Sequence, residues 1–153
     1  EGPMWSHKAN AEGVVAAENA MGLTSKVDYA SLPICVHTRP QAAWVGLTEE
    51  QAKAQGLTVD VGKVPTAISA SSLISGETAG MIKIVTGRYG KILGAHIMAP
   101  GAVELVNVVS VAMLSESTVS ELMRFMPAHP TIGEALADAA LDAEKRSLHL
   151  PDR

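Results

Sequence analysis

Aromatic residues and cysteine are both scarce in this 153-residue chain. Two Trp, two Tyr and one Phe make five aromatic residues, although 47% of the chain is hydrophobic. The core must therefore be built from Ala, Val, Ile, Leu and Met. The single cysteine, Cys35, excludes an internal disulfide, and without a Cys/His cluster the sequence predicts no metal site. A reducing, cytoplasmic compartment is the natural setting for such a chain.

Long apolar runs and an excess of positive charge are also missing. The longest strongly apolar stretch, residues 105–114, is far shorter than the roughly 20 residues that a membrane span requires. No basic segment followed by an apolar run predicts a signal peptide at the N-terminus. The net charge is −4 and the Lys and Arg residues are scattered, so the sequence predicts neither a nucleic-acid nor a membrane partner.

The patterning predicts one domain preceded by a helical appendage. A helix is expected over residues 4–19 and a linker over residues 22–28. Strands are predicted over residues 32–37, 43–46, 57–64, 81–86 and 91–98, and later helices over residues 48–55, 102–115, 118–126 and 131–145. Strands followed by a run of helices indicate an α+β domain, in which an antiparallel sheet packs against helices on one face. The nearly all-apolar helix over residues 102–115 fits burial in the core or in a subunit interface.

The segment around His129 has the most site-like chemistry of the chain. His129 precedes Pro130, which fixes its own φ and disfavours the α region for the residue before it. Glu134 follows at the start of the predicted last helix, where it also fits a capping box with Thr131. A carboxylate that orients an imidazole raises its basicity, as a general base requires. The residues alone leave a purely structural role for this pair open.

The other potentially reactive residues are expected to have structural roles. Ser69, Ser71 and Ser72 have no matched base or nucleophile elbow, so they indicate a short helix or irregular connection rather than a hydrolase site. Cys35 is expected in the core rather than as a redox thiol, and His96 is expected to pack within a strand.

Five segments together resemble the C-terminal dimerisation (interface) domain of the FAD-dependent pyridine nucleotide-disulfide oxidoreductases. They occur in the family's order and cover the chain up to about residue 143. Among the members of this family, the segments are most similar to the dihydrolipoamide dehydrogenases. The segments are GPMWSHKA (2–9) with EG (12–13), AWVGLTEEQ (43–51), GMIKIV (80–85), LGAHIM (93–98) and HPTIGEA (129–135).

The resemblance implies a role for each matching residue. His129 corresponds to the histidine that acts as acid/base in trans, beside the redox disulfide and flavin of the partner subunit in a homodimer. Glu134 corresponds to the glutamate that hydrogen-bonds this imidazole. The start of the first helix, where the family approaches the flavin, corresponds to Met4, Trp5, Ser6 and His7. Residues 1–27 are then the end of an FAD-binding domain, residues 28–146 the dimerisation domain and residues 147–153 a flexible tail.

Much of the family's catalytic apparatus is absent from this sequence. It contains neither the redox cysteine pair nor the Gly-rich FAD and NAD fingerprints. FAD and NAD are therefore expected in the intact parent enzyme, with none bound to this chain alone, which is expected to be inactive. Pro127, Trp5 with Ser6, and Gln41 depart from the family's usual residues, as expected of a divergent member.

The resemblance leaves two alternatives. The chain could be a standalone dimerisation or regulatory module without catalysis, or the same domain of a sibling disulfide reductase. The expected partners are a second copy, the remainder of the parent flavoenzyme and a lipoyl-bearing protein.

Overall fold

The computed structural model describes residues 3–151. Within that range the helices and strands are, in chain order, α1 (Ser6–Ala20), β1 (Ile34–Val36), β2 (Ala42–Gly46), α2 (Glu49–Ala54), β3 (Asp60–Pro65), α3 (Ala70–Ser75), β4 (Met81–Thr86), β5 (Ile92–Met98), α4 (Ala102–Leu114), α5 (Val119–Arg124) and α6 (Gly133–Ala143). Gly2 of the N-terminal motif, Glu1 of the predicted FAD-domain remnant and residues 152–153 of the predicted tail lie outside the described residues.

The five strands form one antiparallel sheet in the order β1-β2-β5-β4-β3. Residues 87–90 join β4 to β5, and the Gly87 N–H donates to the Lys91 carbonyl oxygen over 2.8 Å. The turn predicted there is confirmed, with Tyr89 and Gly90 at positive φ. The sheet and the helices after its last strand confirm the predicted α+β class.

The hydrophobic core lies between one face of the sheet and the helices after β5. α4 packs on β2 and β5, whereas α6 packs on β3, β4 and α5. Alternate residues of a strand face the same side of the sheet. The residues that face these helices lie opposite one another on neighbouring strands, and they are buried. This set comprises Ala43, Val45, Val64, Ile82, Ile84, Ala95 and Ile97. The core is aliphatic, as the composition requires.

The opposite face of the sheet carries charged and polar residues under α2. Lys83 Nζ lies 2.7 Å from one carboxylate oxygen of Glu49, and Lys53 Nζ lies 2.6 Å from the other. These two hydrogen bonds lower the pKa of Glu49 to about 2, and the bond from Lys53 has the largest effect. His96 packs across from Lys83, and within residues 3–151 its buried ring nitrogens have no hydrogen-bond partner. Burial, followed by the Lys83 charge, lowers the pKa of His96.

α4 is apolar on two sides, of which only one is buried. Val106 and Val109 are fully buried in the core. Val108, Val111 and Leu114 are exposed, the last two by 61% and 62%. The helix therefore has a core side and an uncovered apolar side.

Local sequence signals place most helix ends correctly, with two informative differences. Capping boxes begin α2 and α5. The box expected between Thr131 and Glu134 forms only in part: Glu134 Oε2 accepts the Thr131 N–H, but the Thr131 hydroxyl donates to the Ala128 carbonyl instead of capping the helix. β3 begins at Asp60 rather than at residue 57, because the Leu57 N–H bonds back to the Ala52 carbonyl and closes α2. α6 begins at Gly133 rather than just after Thr131, because the first turn contains i→i−3 bonds such as Ala135 N–H to the Ile132 carbonyl.

α1 forms few contacts with the rest of the chain, and none of its residues is buried. Tyr29 hydroxyl donates to Glu12 over 2.7 Å, and His7 Nε2 donates to the Pro33 carbonyl over 2.9 Å. Helix α1 thus touches the main domain through polar side chains. The division into residues 1–27, 28–146 and 147–153 stays a prediction.

The start of the predicted tail bonds to α6. The buried carboxylate of Asp138 accepts from the Ser147 hydroxyl and from the Leu148 N–H, each over 2.8 Å. Leu150 also packs against the core.

No helix in residues 3–151 is long and apolar enough to cross a membrane.

The closest approach in the core is between α6 and the edge strand β3. A Cβ atom on Gly62 would overlap the Ala139 carbonyl oxygen and lie 2.5 Å from the Ala143 backbone nitrogen. Beside it, the Lys63 N–H donates to Asp142 Oδ2 over 2.8 Å. Because Gly62 has no side chain, α6 can come close enough to form this bond.

We expect Gly62→Ala to destabilise the chain by about 2–3 kcal/mol, because the methyl group meets rigid backbone atoms. The measurement is the free energy of unfolding in urea, followed by tryptophan fluorescence. Gly13→Ala is the matched control, since a Cβ atom there meets nothing within 4 Å. This control should be neutral or slightly stabilising. Equal unfolding midpoints for wild type and Gly62→Ala would contradict the described packing of α6.

Candidate functional site

The connection between α5 and α6 carries the predicted catalytic residues. The His129–Pro130 peptide bond is cis. Thr131 anchors this connection on two sides: its hydroxyl donates to the Ala128 carbonyl over 2.6 Å, and its N–H donates to Glu134 Oε2 over 3.0 Å. The backbone around His129 is therefore tied to the first turn of α6.

His129 and Glu134 form the predicted pair. His129 Nδ1 lies 2.8 Å from Glu134 Oε1, while the other oxygen of Glu134 accepts the Thr131 N–H. Both oxygens of the carboxylate are thus engaged. The negative charge also lies in the first turn of α6, where the helix dipole favours it.

The geometry assigns the protons of this pair. A carboxylate can only accept, so the shared proton resides on Nδ1 of His129. The bond from His129, and then the Thr131 N–H, lower the pKa of Glu134, so it is ionised at neutral pH. Nε2 is the ring nitrogen that faces away from Glu134, and it makes no hydrogen bond within the described chain. The imidazole can therefore take up a proton at Nε2.

The pair is open to approach from outside the chain. The side chain of His129 is 71% exposed and that of Glu134 is 28% exposed.

Cys35, the one thiol of the chain, is half-buried. Burial is the main cause that raises the pKa of this thiol, and the charge of Glu104 raises it further. The core position expected for this thiol is only partly found, because Cys35 packs against the core from a half-buried position beside α1. No hydrogen bond within residues 3–151 connects it to His129.

The four predicted flavin-side residues lie at the start of α1. Met4 is 98% exposed, and the rings of Trp5 and His7 stack with their centroids 5.7 Å apart. Ser6 opens the helix, whose first turn has no acidic residue and no side-chain cap. Its backbone N–H groups are therefore available to an anionic group, as the predicted role requires.

Trp5, Ser6 and His7 line a cleft of about 670 Å³ between α1 and the main domain. β1 and α4 form its other wall, which includes Cys35 and Glu104. Among residues 3–151, no hydrogen bond, ion pair or ring contact joins this first-helix group to the His129–Glu134 pair. The structure therefore presents two separate candidate surfaces. The residues described contain no cluster of three or more potential metal ligands.

The sequence did not reveal how the His129 connection is supported from outside. The Thr131 carbonyl accepts a hydrogen bond from the Ser69 hydroxyl over 3.2 Å. Sixty-two positions separate these two residues, so no local spacing rule could have joined them. The small-residue composition around Ser69 was the only signal, and it indicates close packing without naming a partner.

Comparison with known structures identifies the fold as that of the flavoprotein disulfide reductases. A Cu(II) complex of the HOCl-induced flavoprotein disulfide reductase RclA from Escherichia coli matches 91% of this chain and 32% of its own, with a TM-score of 0.84 and 25% identity. LpdA from Mycobacterium tuberculosis matches 84% of this chain and 28% of its own, with a TM-score of 0.79 and 27% identity.

Residues 32–140 match the family model of the pyridine nucleotide-disulphide oxidoreductase dimerisation domain. The chain therefore belongs to this family. It is 39% identical over 143 residues to human mitochondrial dihydrolipoyl dehydrogenase and 40% identical to the rat protein. Each match covers 93% of this chain and 28% of the relative, so the chain spans just over a quarter of these proteins.

We expect His129→Ala to raise the pKa of Glu134 toward its ordinary value, because the His129 hydrogen bond is the largest cause of its lowering. The Thr131 N–H should keep the pKa of Glu134 partly lowered. The stability that ionised Glu134 contributes is complete above its ordinary pKa and is lost as the pH falls through the folded-state value. In His129→Ala this contribution is smaller and disappears at a higher pH.

The measurement is a carboxyl-carbon NMR titration of Glu134. His149→Ala is the matched control, because His149 also faces a carboxylate of α6, with 3.4 Å between its Nδ1 and Asp138 Oδ1. The charge of His149 is the weakest of the causes that lower the pKa of Glu134, so a much smaller change is expected. Identical Glu134 titrations in His129→Ala and wild type would contradict the assigned pair.

Proposed function

We propose that this chain is the dimerisation domain of a dihydrolipoyl dehydrogenase-type enzyme and supplies His129 in trans as its acid/base. The observation that carries the proposal is the exposed His129–Glu134 pair, with its proton-accepting Nε2 directed away from its own carboxylate partner. The identity to dihydrolipoyl dehydrogenases across 93% of the chain supports the substrate class.

The proposed chemistry is proton transfer to and from a dithiol. A thiolate, not a thiol, attacks a disulfide, so dihydrolipoamide has to lose a proton before exchange. Nε2 of His129 accepts this proton, and Glu134 stabilises the imidazolium that forms. In this proposal, His129 is the base and Glu134 is its orienting carboxylate, while the disulfide would belong to the partner subunit.

FAD and NAD are proposed as cofactors of the parent enzyme. Of this chain's residues, Met4, Trp5, Ser6 and His7 would lie toward the flavin, which supplies the electron transfer when bound. The uncapped first turn of α1 suits a negatively charged flavin. No residue of this chain is proposed to bind NAD. The chain on its own is expected to be colourless and inactive.

The proposed partners are a second copy, the rest of the parent flavoenzyme and a lipoyl-bearing protein. The exposed apolar side of α4 supports an additional protein surface against this domain. The absence of nucleic-acid and membrane partners and the cytoplasmic location stay predictions from composition. The human and rat relatives are named as mitochondrial proteins.

A sibling disulfide reductase is the second candidate. The fold similarity to RclA, with a TM-score of 0.84, favours it. A standalone module without catalysis is the third candidate. Such a module would not need the complete set of hydrogen bonds that joins His129, Glu134 and Thr131. Comparison of the activity with the dithiol dihydrolipoamide and the activity with disulfide substrates separates the first two candidates.

In a complete enzyme containing this chain, His129→Gln should lower kcat for dihydrolipoamide oxidation by at least about 10²-fold, as loss of a general acid/base does. His149→Gln is the control, because it removes a second exposed histidine next to an α6 carboxylate. This control should retain the wild-type rate. A near-normal rate for His129→Gln would eliminate the proposed role.

We also expect the purified chain to be a dimer without flavin absorbance. Val111→Lys should weaken the dimer, because it places a charge on the exposed apolar side of α4. Ile74→Lys is a matched control on α3, since Ile74 is 76% exposed. Light scattering over a concentration series provides the measurement. A monomeric wild-type chain, or equal dimer affinity for both variants, would contradict this interface.

A further inference from the structure

Ser69 occupies the cap position of a helix that its side chain does not cap. It directly precedes α3 in an extended conformation, with φ −81° and ψ 129°. A serine at this position usually accepts a hydrogen bond from an N–H of the first turn. The Ser69 side chain makes no such bond, although the residue is only 3% exposed. Its hydroxyl is used for another contact.

That contact reaches the connection that carries His129. Ser69 Oγ lies 3.2 Å from the Thr131 carbonyl oxygen and 2.8 Å from Ser71 Oγ. A carbonyl can only accept, so the single Ser69 proton goes to Thr131. The Ser71 hydroxyl must then donate to Ser69. The hydrogen bonds therefore run from the Ser71 hydroxyl to Ser69 Oγ, and from the Ser69 hydroxyl to the Thr131 carbonyl.

Thr131 connects these serine hydroxyls to the His129–Glu134 pair. Its N–H holds Glu134 Oε2 over 3.0 Å, and Glu134 Oε1 holds His129 Nδ1 over 2.8 Å. The Thr131 carbonyl also accepts the Glu134 N–H over 3.3 Å. A shift of Thr131 would therefore change the position of both the Glu134 backbone and its carboxylate.

The segment that contains Ser69 is well fixed. Thr66 is fully buried, and its hydroxyl donates to the Thr78 carbonyl over 2.8 Å. The Thr66 N–H donates to the Gly80 carbonyl, and the Ser69 N–H donates to the Thr66 carbonyl. Ser69 is thus attached to a rigid support at the end of β3.

We propose that Ser69 is a positioning residue for His129, acting through Thr131 and Glu134. This inference depends on the proposed acid/base role of His129 for its effect on activity, but not for its effect on the geometry of the pair. Ser69 touches neither the substrate nor the flavin. It sets the orientation of the imidazole from a buried site on a different element of the fold.

The first test uses the chain itself and compares Ser69→Ala with Ser72→Ala. Ser72 is a buried serine on α3, 2% exposed, so both variants lose the same hydroxyl group from a similar environment. We expect Ser69→Ala to raise the pKa of Glu134 toward its ordinary value in the carboxyl-carbon NMR titration, because Thr131 is no longer held. Ser72→Ala should leave this titration unchanged. Equal titrations in the two variants would overturn the inference.

The second test measures dihydrolipoamide oxidation in a complete enzyme that contains this chain. Loss of one hydrogen bond in a positioning network should lower kcat by about three- to tenfold in Ser69→Ala. KM and the melting temperature should change no more than in Ser72→Ala. In a His129→Gln background, Ser69→Ala should have no additional effect, because the residue that it positions is already absent.

The outcomes separate this inference from the proposed function. An equal fold-loss from Ser69→Ala in wild type and in His129→Gln would show a general structural effect and refute positioning. A near-normal His129→Gln enzyme would refute the proposed function alone. The NMR comparison would then still decide whether Ser69 orients the pair.

Discussion

The close approach of α6 to β3 is the contact on which the rest of this structure depends. Gly62 leaves space for the backbone of Ala139 and Ala143, and Asp142 then accepts the Lys63 N–H. Because a helix is rigid, seating its C-terminal half on the edge strand also fixes the direction of its first turn. Glu134 lies in that turn, so a packing constraint within the core determines where the Glu134 carboxylate is presented to His129.

In the proposed function, the His129–Glu134 pair is one half of a reaction centre. Glu134 holds Nδ1 and leaves Nε2 free, and the ring is largely exposed rather than enclosed by its own chain. Such an imidazole gains a specific role only when another surface brings it a substrate and excludes water. The uncovered apolar side of α4 and the unburied α1 indicate that this domain is completed by further protein. Membership of the dimerisation-domain family agrees with that interpretation.

Much of the fold could be predicted because its signals are local. The two capping boxes, the Gly87–Gly90 turn and the alternating strands each depend on residues a few positions apart. The errors occurred where a backbone group was used by a neighbouring element. Leu57 closes α2 instead of starting β3, and the tight first turn of α6 shifts its start to Gly133. The α4 sequence permitted core or interface, and only packing showed that one apolar side of this helix lies in the core while the other is exposed.

The sequence by itself determined the α+β class, the aliphatic core and the identity of His129 and Glu134 as a candidate pair, because periodicity, composition and a five-residue spacing are properties of the chain. Only the tertiary structure decided which nitrogen faces the carboxylate, which remains free, and that Ser69 supports the connection through Thr131. From the sequence, the serines indicated only a short helix or irregular connection. Their role depends on a hydrogen bond between segments far apart in sequence, and such a bond exists only once the sheet, α3 and α6 are packed together.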